Sequence, residues 1–499
     1  MNDNKIIDSA DVVLIGSGIM SASLAVLLKL LDPRLSIQVL EISPQLSQES
    51  SDGWHNAGTG HAGYCEFSYT PHRDTDGWIN VSRAIAIFEQ FEHSKLFWAS
   101  AVQQGITGPA KQFVRPVPHL AFVTGASQVD YLRARHQAMT EHPFFEQMQY
   151  TDDAALIAQW LPLIMEGREP SQVAATVAKN GTEVNFGELA RQLWNWFGQQ
   201  DNCAIATEHR AVELSRQVNS WHVRVKDLQA GQHLNLQAKF VFLGAGGGCL
   251  PLLHSTGLPE VKGLGGFPIA GQWLVCDDAN LAARHLAKVY GLTPPSAPSL
   301  GGPHLDVRWL GDSPQLMFGP FASWTTKYLK KSGHWSDLPR AVHWDNLMTF
   351  LRVAKKNRSL VSYLMAQGLQ SSGSRMASLR QFYPLARRED WRLVHAGIRV
   401  QTLKRQDRGA IYFGTEIFKA AGGTLAALLG ASPGASVSVN IALNVVRSCL
   451  PDLLRSTTGI QRLRQLIPNF DTDIKQPENA ALYRSATQHA AEVLGIQQG

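Results

Sequence analysis

The stretch from Asp11 to Glu41 constrains this chain more than any other. DVVLI at 11–15 is a short β-branched run that leads into Gly16-Ser17-Gly18, and an apolar helical stretch follows to about Leu31. Pro33 ends that helix, and SIQVLE at 36–41 reads as a second strand. The result is a βαβ unit whose turn reads G-x-G-x-x-S. The first glycine permits a tight turn, and the second lets the backbone approach a diphosphate. The third position decides how closely helix packs on strand, and Ser21 is small enough to keep that packing. The positive end of helix 18–31 would face the phosphates. Glu41, closing the second strand, can accept hydrogen bonds from ribose hydroxyls. A dinucleotide site is expected; an ordinary βα turn is the bland alternative.

With 499 residues the chain exceeds one compact core, so two or three domains are expected. Hydrophobic residues at 44%, charged residues at 17% and 42 glycines exclude a disordered or fibrous chain and fit a packed enzyme with many tight turns. The five cysteines (Cys65, Cys203, Cys249, Cys276, Cys449) form neither CxxC nor a metal-ligand spacing, so no metal is expected and a reducing compartment is. The net charge of +5 is mild. Lys327, Lys330, Lys331, Arg352, Lys355, Lys356 and Arg358 nevertheless gather near Trp324, Tyr328, Trp335 and Trp344. No nucleic-acid module accompanies them, so nucleic acid is set aside and a membrane surface is the hypothesis for this region. The start lacks the pattern of a signal peptide. Residues 12–31 and 421–447 are apolar but broken by glycine and polar residues, which reads as βα and loop-helix units rather than spans. The expected location is cytoplasmic, with any membrane contact peripheral on the inner face.

A second glycine-rich run, LGAGGGC at 243–249, follows the buried strand KFVFL. Cys249 occupies its third fingerprint position and Pro251 is expected to interrupt any helix, so it reads as a loop crossing the first nucleotide site. One dinucleotide site without a dithiol favours FAD over nicotinamide, with electrons leaving to quinone, oxygen or another protein. Elsewhere, helices are expected over 80–110, 128–165, FGELARQLWNWF and 337–380. Residues 211–236 read as a small antiparallel meander, 266–325 as sheet, and 391–447 as strand, glycine loop and helix.

SSDGWHNAGTGHAGYCEFSYTP at 50–71 resembles the segment after the second strand in the malate:quinone oxidoreductases. GTEVNFGEL (181–189), FLGAGGGCLPLL with GLGGFPIAG (242–271), GGPHLDVRW with LMFGPFA (301–322), and FGTEIF with LLGASPGAS (413–436) extend the resemblance along the chain. The wider layout also resembles the glycine oxidase and 2-hydroxyglutarate dehydrogenase relatives. The resemblance implies bound FAD, a substrate domain over the flavin, hydride transfer from a small 2-hydroxy dicarboxylate, and quinone reduction at a membrane surface. His55 where the family has Asn, and Gly63-Tyr64, depart from its pattern.

Such a reaction needs a base, a hydride acceptor and cations for carboxylates. His304 is favoured as the base, with His61 its competitor. Arg308, on the same strand face as His304, and Arg399 are the candidates for carboxylates. Trp54 and Tyr64 are candidates to shape the pocket, with a core role the bland reading for Trp54. For FAD, Ser50 and Ser51 are expected near ribose and pyrophosphate, Thr59, Gly60 and His61 near the rings, and Gly244, Ala245 and Gly246 near the pyrophosphate. Val212 matches the strand position where relatives hold the adenine edge. Ser432, Pro433, Gly434, Ala435 and Ser436 open the last helix toward the flavin. The expected fold is α/β: a discontinuous Rossmann-type FAD domain (1–90, 181–265, 375–450), an inserted α+β substrate domain (91–180, 266–374) and a C-terminal helical extension (451–499). A flavin enzyme acting on another 2-hydroxy acid, and a non-catalytic flavin-binding scaffold, are the alternatives.

Overall fold

The computed structural model describes residues 4–70, 77–169, 171–292, 302–358, 362, 366–368, 370–404, 410–412, 416–430 and 434–497. The fold is α/β, and its described strands form two large sheets and a small pair, Val114–Pro116 with Thr182–Val184. The first orders Glu416–Ala420, Leu425–Leu429, His233–Leu243, Ser9–Ile15, Ile37–Leu40 and Cys203–Ala206 across its width. Ser9–Ile15 runs parallel to both His233–Leu243 and Ile37–Leu40, the pairing that a βαβ crossover requires. His233–Leu243 is one continuous strand, where the sequence suggested two. Its first half alternates exposed and buried residues and pairs antiparallel with Trp221–Asp227. Its second half is fully buried between parallel neighbours, where both faces are covered.

Helices Ile19–Leu31, Phe186–Phe197 and Ser438–Cys449 cover one face of this sheet and bury Leu24, Leu28, Leu193, Leu443 and Val446 in a common core. Trp194 is 1% exposed, and its indole N–H donates to the Ser17 carbonyl at 2.8 Å, fastening helix Phe186–Phe197 to the glycine turn.

The second sheet orders Ala410–Tyr412, Arg392–Lys404, Gly265–Cys276, Gln315–Ser323, His304–Arg308, Lys288–Tyr290, His119–Thr124, Val173–Ala178 and Gln149–Thr151. Three expectations change here. Arg392–Lys404 pairs antiparallel with Gly265–Cys276, so this part of 375–450 lies in the second sheet. Helix Ser82–Gln103 carries Phe88, Phe91, Phe97 and Trp98 into the first core. Helices Thr457–Leu466 and Ala480–Leu494 enter that same core, with Thr487 donating to Glu92 at 2.7 Å, rather than forming an appendage. Local periodicity finds such elements, but long-range pairing assigns them to a layer. The region 128–165 likewise contains the strand Gln149–Thr151 between its helices. Pro251 sits in the first turn of helix Cys249–Ser255, where its missing N–H costs no helical hydrogen bond.

Replacing Trp194 with Phe keeps most of the ring but leaves the Ser17 carbonyl with the Ser47 hydroxyl as its remaining side-chain donor. Urea melts are expected to show a loss of about 0.5–1.5 kcal/mol. A wild-type midpoint would show that the indole bond contributes nothing.

Candidate functional site

The glycine turn opens onto a cavity of about 560 Å³. Gly16 adopts φ +94°, and a Cβ there would stand 2.7 Å from the Gly244 carbonyl oxygen and 2.8 Å from Ala245 Cα. Only glycine lets the two strand ends approach this closely. Gly18 borders the cavity and caps helix Ile19–Leu31 without a side chain, so Ser51 supplies the cap: its Oγ accepts from Ile19 N at 2.9 Å. Ser21 is fully buried against Gly244, where a Cβ would meet its Oγ at 2.2 Å. Glu41 lies at the end of the second strand as expected, and its carboxylate accepts from Ser17 N, Ser17 Oγ and Ser43 N at 2.9, 2.6 and 2.8 Å.

Ser50, Ser51, Thr59, His61, Val212, Gly244, Ala245 and Gly246 border the same cavity. Val212 falls at a β-bulge: Glu213 pairs with Arg224 and Ala211 with Val225, so Val212 is skipped in the register and its backbone is turned from the ladder. Gly434, Ala435 and Ser436 border the cavity from the turn that opens helix Ser438–Cys449. The buried Ser436 Oγ has no hydrogen-bond partner among the described residues. Ser432 and Pro433 lie outside the described residues, as does Phe413-Gly414-Thr415 of the FGTEIF motif. Gly60 is packed against protein instead; a Cβ there would meet Thr182 Oγ1 at 2.0 Å. A crowded phosphate-ready turn, a bulged strand and an unpartnered hydroxyl on one cavity fit a long dinucleotide such as FAD.

His61 and Arg399 border the same cavity. The His61 ring meets Tyr69 and Tyr290 edge-on, with centroids 6.0 and 6.3 Å away. Burial, reinforced by the nearby His304 and Lys288, pushes its pKa from 6.5 down to about 3, so it is neutral near pH 7. Burial also pulls Arg399 below its usual value, while Tyr290, Glu66 and Tyr69 oppose that shift. It remains a cation, because an arginine does not lose its proton in proteins.

His304 and Arg308, favoured from sequence, are not among the residues that border the cavity. His304 stacks on Tyr290 with the rings 4.3 Å apart and 4° from parallel, and its Nδ1 lies 2.8 Å from Asp306 Oδ2. Arg308 is fully buried, 2.6 Å from Glu183 Oε1, and donates to the Gly53 carbonyl at 2.7 Å. It fills the space beneath Gly58 and fastens the segment 53–58 to the second sheet. The four-residue spacing did put both side chains on one strand face, but neighbouring elements claimed them before the cavity could.

The sequence reading also missed the groups that finish this wall. Lys288, fully buried, lies 3.6 Å from Asp306 and donates to the Ala57 carbonyl at 2.8 Å. Burial would raise the Asp306 pKa, but His304 and Lys288 outweigh it and hold the carboxyl below its ordinary value. Tyr290 joins its hydroxyl to Thr59 Oγ1 at 2.9 Å. Lys288 and Tyr290 belong to no local motif; the sheet order brings them to Asp306 and Thr59. His55, the departure noted in sequence, bonds the Glu49 carbonyl through Nδ1 at 2.6 Å and meets Lys330 Nζ through Nε2 at 2.7 Å. The Glu49 carboxylate accepts from the backbone of Lys330, Lys331 and Ser332. Tyr64 is a core residue set against Phe88, Phe145 and His119, and Trp54 lies under Arg392.

The family model described as malate:quinone oxidoreductase matches residues 8–496. A probable malate:quinone oxidoreductase 2 of Pseudomonas aeruginosa is 46% identical over 492 residues, covering 98% of this chain and 96% of that one. A probable malate:quinone oxidoreductase of Methylobacillus flagellatus is 45% identical, with 97% and 98% covered. Among solved structures, glycine oxidase from Geobacillus kaustophilus superposes with a TM-score of 0.57 at 14% identity, covering 89% of this chain and 95% of that one. L-α-glycerophosphate oxidase from Mycoplasma pneumoniae, solved with FAD bound, gives the same values. At that identity the likeness shows a shared fold.

Two outcomes follow from the buried charges. Arg308→Met leaves the Glu183 carboxylate buried without its cation and is expected to cost about 3–5 kcal/mol. Adding Glu183→Gln should recover part of that loss in a double-mutant cycle, and additive losses would break the pairing. His61 and His119 are both held near 3 by burial, while the unfolded chain titrates near 6.5. The unfolded state therefore binds more protons between these values, and stability, full above pH 6.5, falls as pH drops through that window. Melting temperatures from pH 7 to 5 should decline, less steeply for His119→Asn; equal slopes would contradict this.

Proposed function

The chain belongs to the malate:quinone oxidoreductase family, and we propose that this cavity is where it oxidises (S)-malate to oxaloacetate and passes the electrons to a quinone. The observation that carries the reading is that His61 and Arg399 border the same cavity as the Gly16–Gly18 turn. Bound FAD supplies the acceptor for the hydride that leaves the hydroxyl-bearing carbon. The amides at the start of helix Ile19–Leu31, held by the Ser51 cap, take the diphosphate. Glu41 takes the ribose, Val212 the adenine edge, and the turn Gly434–Ser436 the polar edge of the flavin.

His61 accepts the hydroxyl proton as the hydride departs. Its neutrality is what a base needs, and a bound dianion would raise its affinity for the proton. Arg399 offers its guanidinium to a carboxylate and fixes which face of the substrate is presented. His304 acts through another group: its ring supports Tyr290, which lies edge-on to His61. Arg308 acts by holding the cavity wall. Both assignments reverse the order suggested by sequence alone; what supports them is that His61 and Arg399 border the cavity, while His304 and Arg308 are engaged by Asp306 and Glu183.

The described residues include no helix long and apolar enough to cross a membrane. The reading has a lipid-soluble acceptor meet the protein at a membrane surface, by peripheral contact.

Adding L-malate anaerobically should bleach the flavin, with colour restored by a soluble quinone and not by NAD. Bleaching only by a different 2-hydroxy acid would move the substrate assignment. His61→Gln should retain flavin and lower kcat by about 10²–10⁴, with a smaller loss for His304→Gln; the reverse order would reinstate His304 as the base. Arg399→Met should lower kcat/KM by about tenfold to a hundredfold, and an unchanged value would free Arg399 from the carboxylate.

A further inference from the structure

The segment 324–356 joins the cavity to an exposed surface. Leu329 and Arg340 border the cavity, and helix Trp344–Lys356 follows directly after them. That helix is fastened by its inner face. Asn346 donates to the carbonyls of Leu264 and Ala341, Thr349 to that of Gly263, and Val353 is buried. A surface helix with one buried stripe should be polar on the other. Here Trp344, Met348 and Leu351, at helical spacing, form an apolar outward stripe. Trp344 is 89% exposed, and Met348, Leu351 and the nearby Trp335 are each more than half exposed. Isolated exposed apolar residues need no account, but a tryptophan-bearing stripe on one helix face does.

The charges around the stripe are sorted by sign. Arg352, Lys355 and Lys356 are exposed, and none forms an ion pair with a carboxylate among the described residues. Lys331 is exposed on the loop before it, and Lys327 sits over the Trp335 ring at 5.1 Å. The acids nearby accept from backbone: Asp345, exposed at the start of the helix, from Gly263 N, and Asp337 from Tyr328 N and His334 N. An apolar stripe with interfacial tryptophan, ringed by cations with its acids spent on backbone, fits an anionic lipid surface.

We propose that Trp335 and the outward face of helix Trp344–Lys356 are the surface by which this protein lies on an anionic phospholipid bilayer, seating the Leu329–Arg340 side of the cavity toward the lipid. This rests on the quinone-reducing reading above. Trp344 and Trp335 sit at headgroup depth, Met348 and Leu351 face the acyl boundary, and the cations meet lipid phosphates. A quinone dissolved in the bilayer then reaches the cavity without crossing water.

The test uses the flavin-loaded full chain and phosphatidylcholine vesicles with and without phosphatidylglycerol. One variant carries Trp344→Ser, Met348→Ser and Leu351→Ser, and another carries Arg352→Glu, Lys355→Glu and Lys356→Glu. Wild type should sediment with the phosphatidylglycerol vesicles, and each variant should bind them about tenfold or more weakly. Both variants should keep wild-type flavin bleaching by malate and wild-type turnover with a water-soluble quinone. Turnover with a long-chain quinone embedded in the vesicles should fall in parallel with binding. Unchanged vesicle binding overturns the proposal. So does a variant that loses only self-association in sedimentation velocity, which would assign the stripe to a second copy of the chain. Failure of malate to bleach the wild-type flavin would instead sink the functional reading, while vesicle binding still reports on this surface.

Discussion

The approach of two strand ends governs this structure. Gly16 and Gly244 end adjacent parallel strands, and their backbones come so close that a single methyl group on Gly16 would overlap Gly244 and Ala245. Gly16 N donates to the Leu40 carbonyl and Gly244 N to the Ile15 carbonyl, so the turn is locked into the ladder rather than laid upon it. From that crossing the first helix departs with its amides toward the cavity, and Glu41 arrives from the next strand to receive Ser17. Tryptophan, serine and glutamate side chains then fix a conformation that the glycines merely permit.

Beyond the crossing, the second sheet contributes a wall made of ionic groups. Burying Lys288, Asp306, Arg308 and Glu183 carries a desolvation cost that only mutual pairing and backbone carbonyls offset. Their return is position. Lys288 and Arg308 hold the Ala57 and Gly53 carbonyls, so the segment carrying Thr59 and His61 is braced from below. Burial keeps His61 neutral, with Lys288 adding to that effect and Asp306 opposing it, which links the wall to its chemistry.

The sequence revealed what is local and left hidden what is not. The βαβ turn, Ser51, Glu41 and the Gly244 loop were legible because their signal sits within a few residues of a recognisable element. His61 was legible as a histidine in a glycine-rich segment, expected near the flavin rings and as the second candidate for the base. Arg308 misled, because strand periodicity gives the face of a side chain and not its neighbour; Glu183, distant in sequence, decided its place. Lys288 and Tyr290 carried no motif at all, since only antiparallel pairing with His304–Arg308 makes them part of the wall. Strand Arg392–Lys404 was assigned to the wrong layer for the same reason.

The order in which the chain visits its two sheets has one further effect. It builds three strands of the first sheet's line from residues 9–40 and 203–206, leaves for the second over 119–178, and alternates again through 233–243, 265–323, 392–412 and 416–429. No contiguous stretch therefore contains all the strands of one sheet without strands of the other. A gene encoding such a chain cannot be split or spliced into one unit for the nucleotide and another for the substrate. The two sheets share one chain throughout, and no single cut frees one from the other.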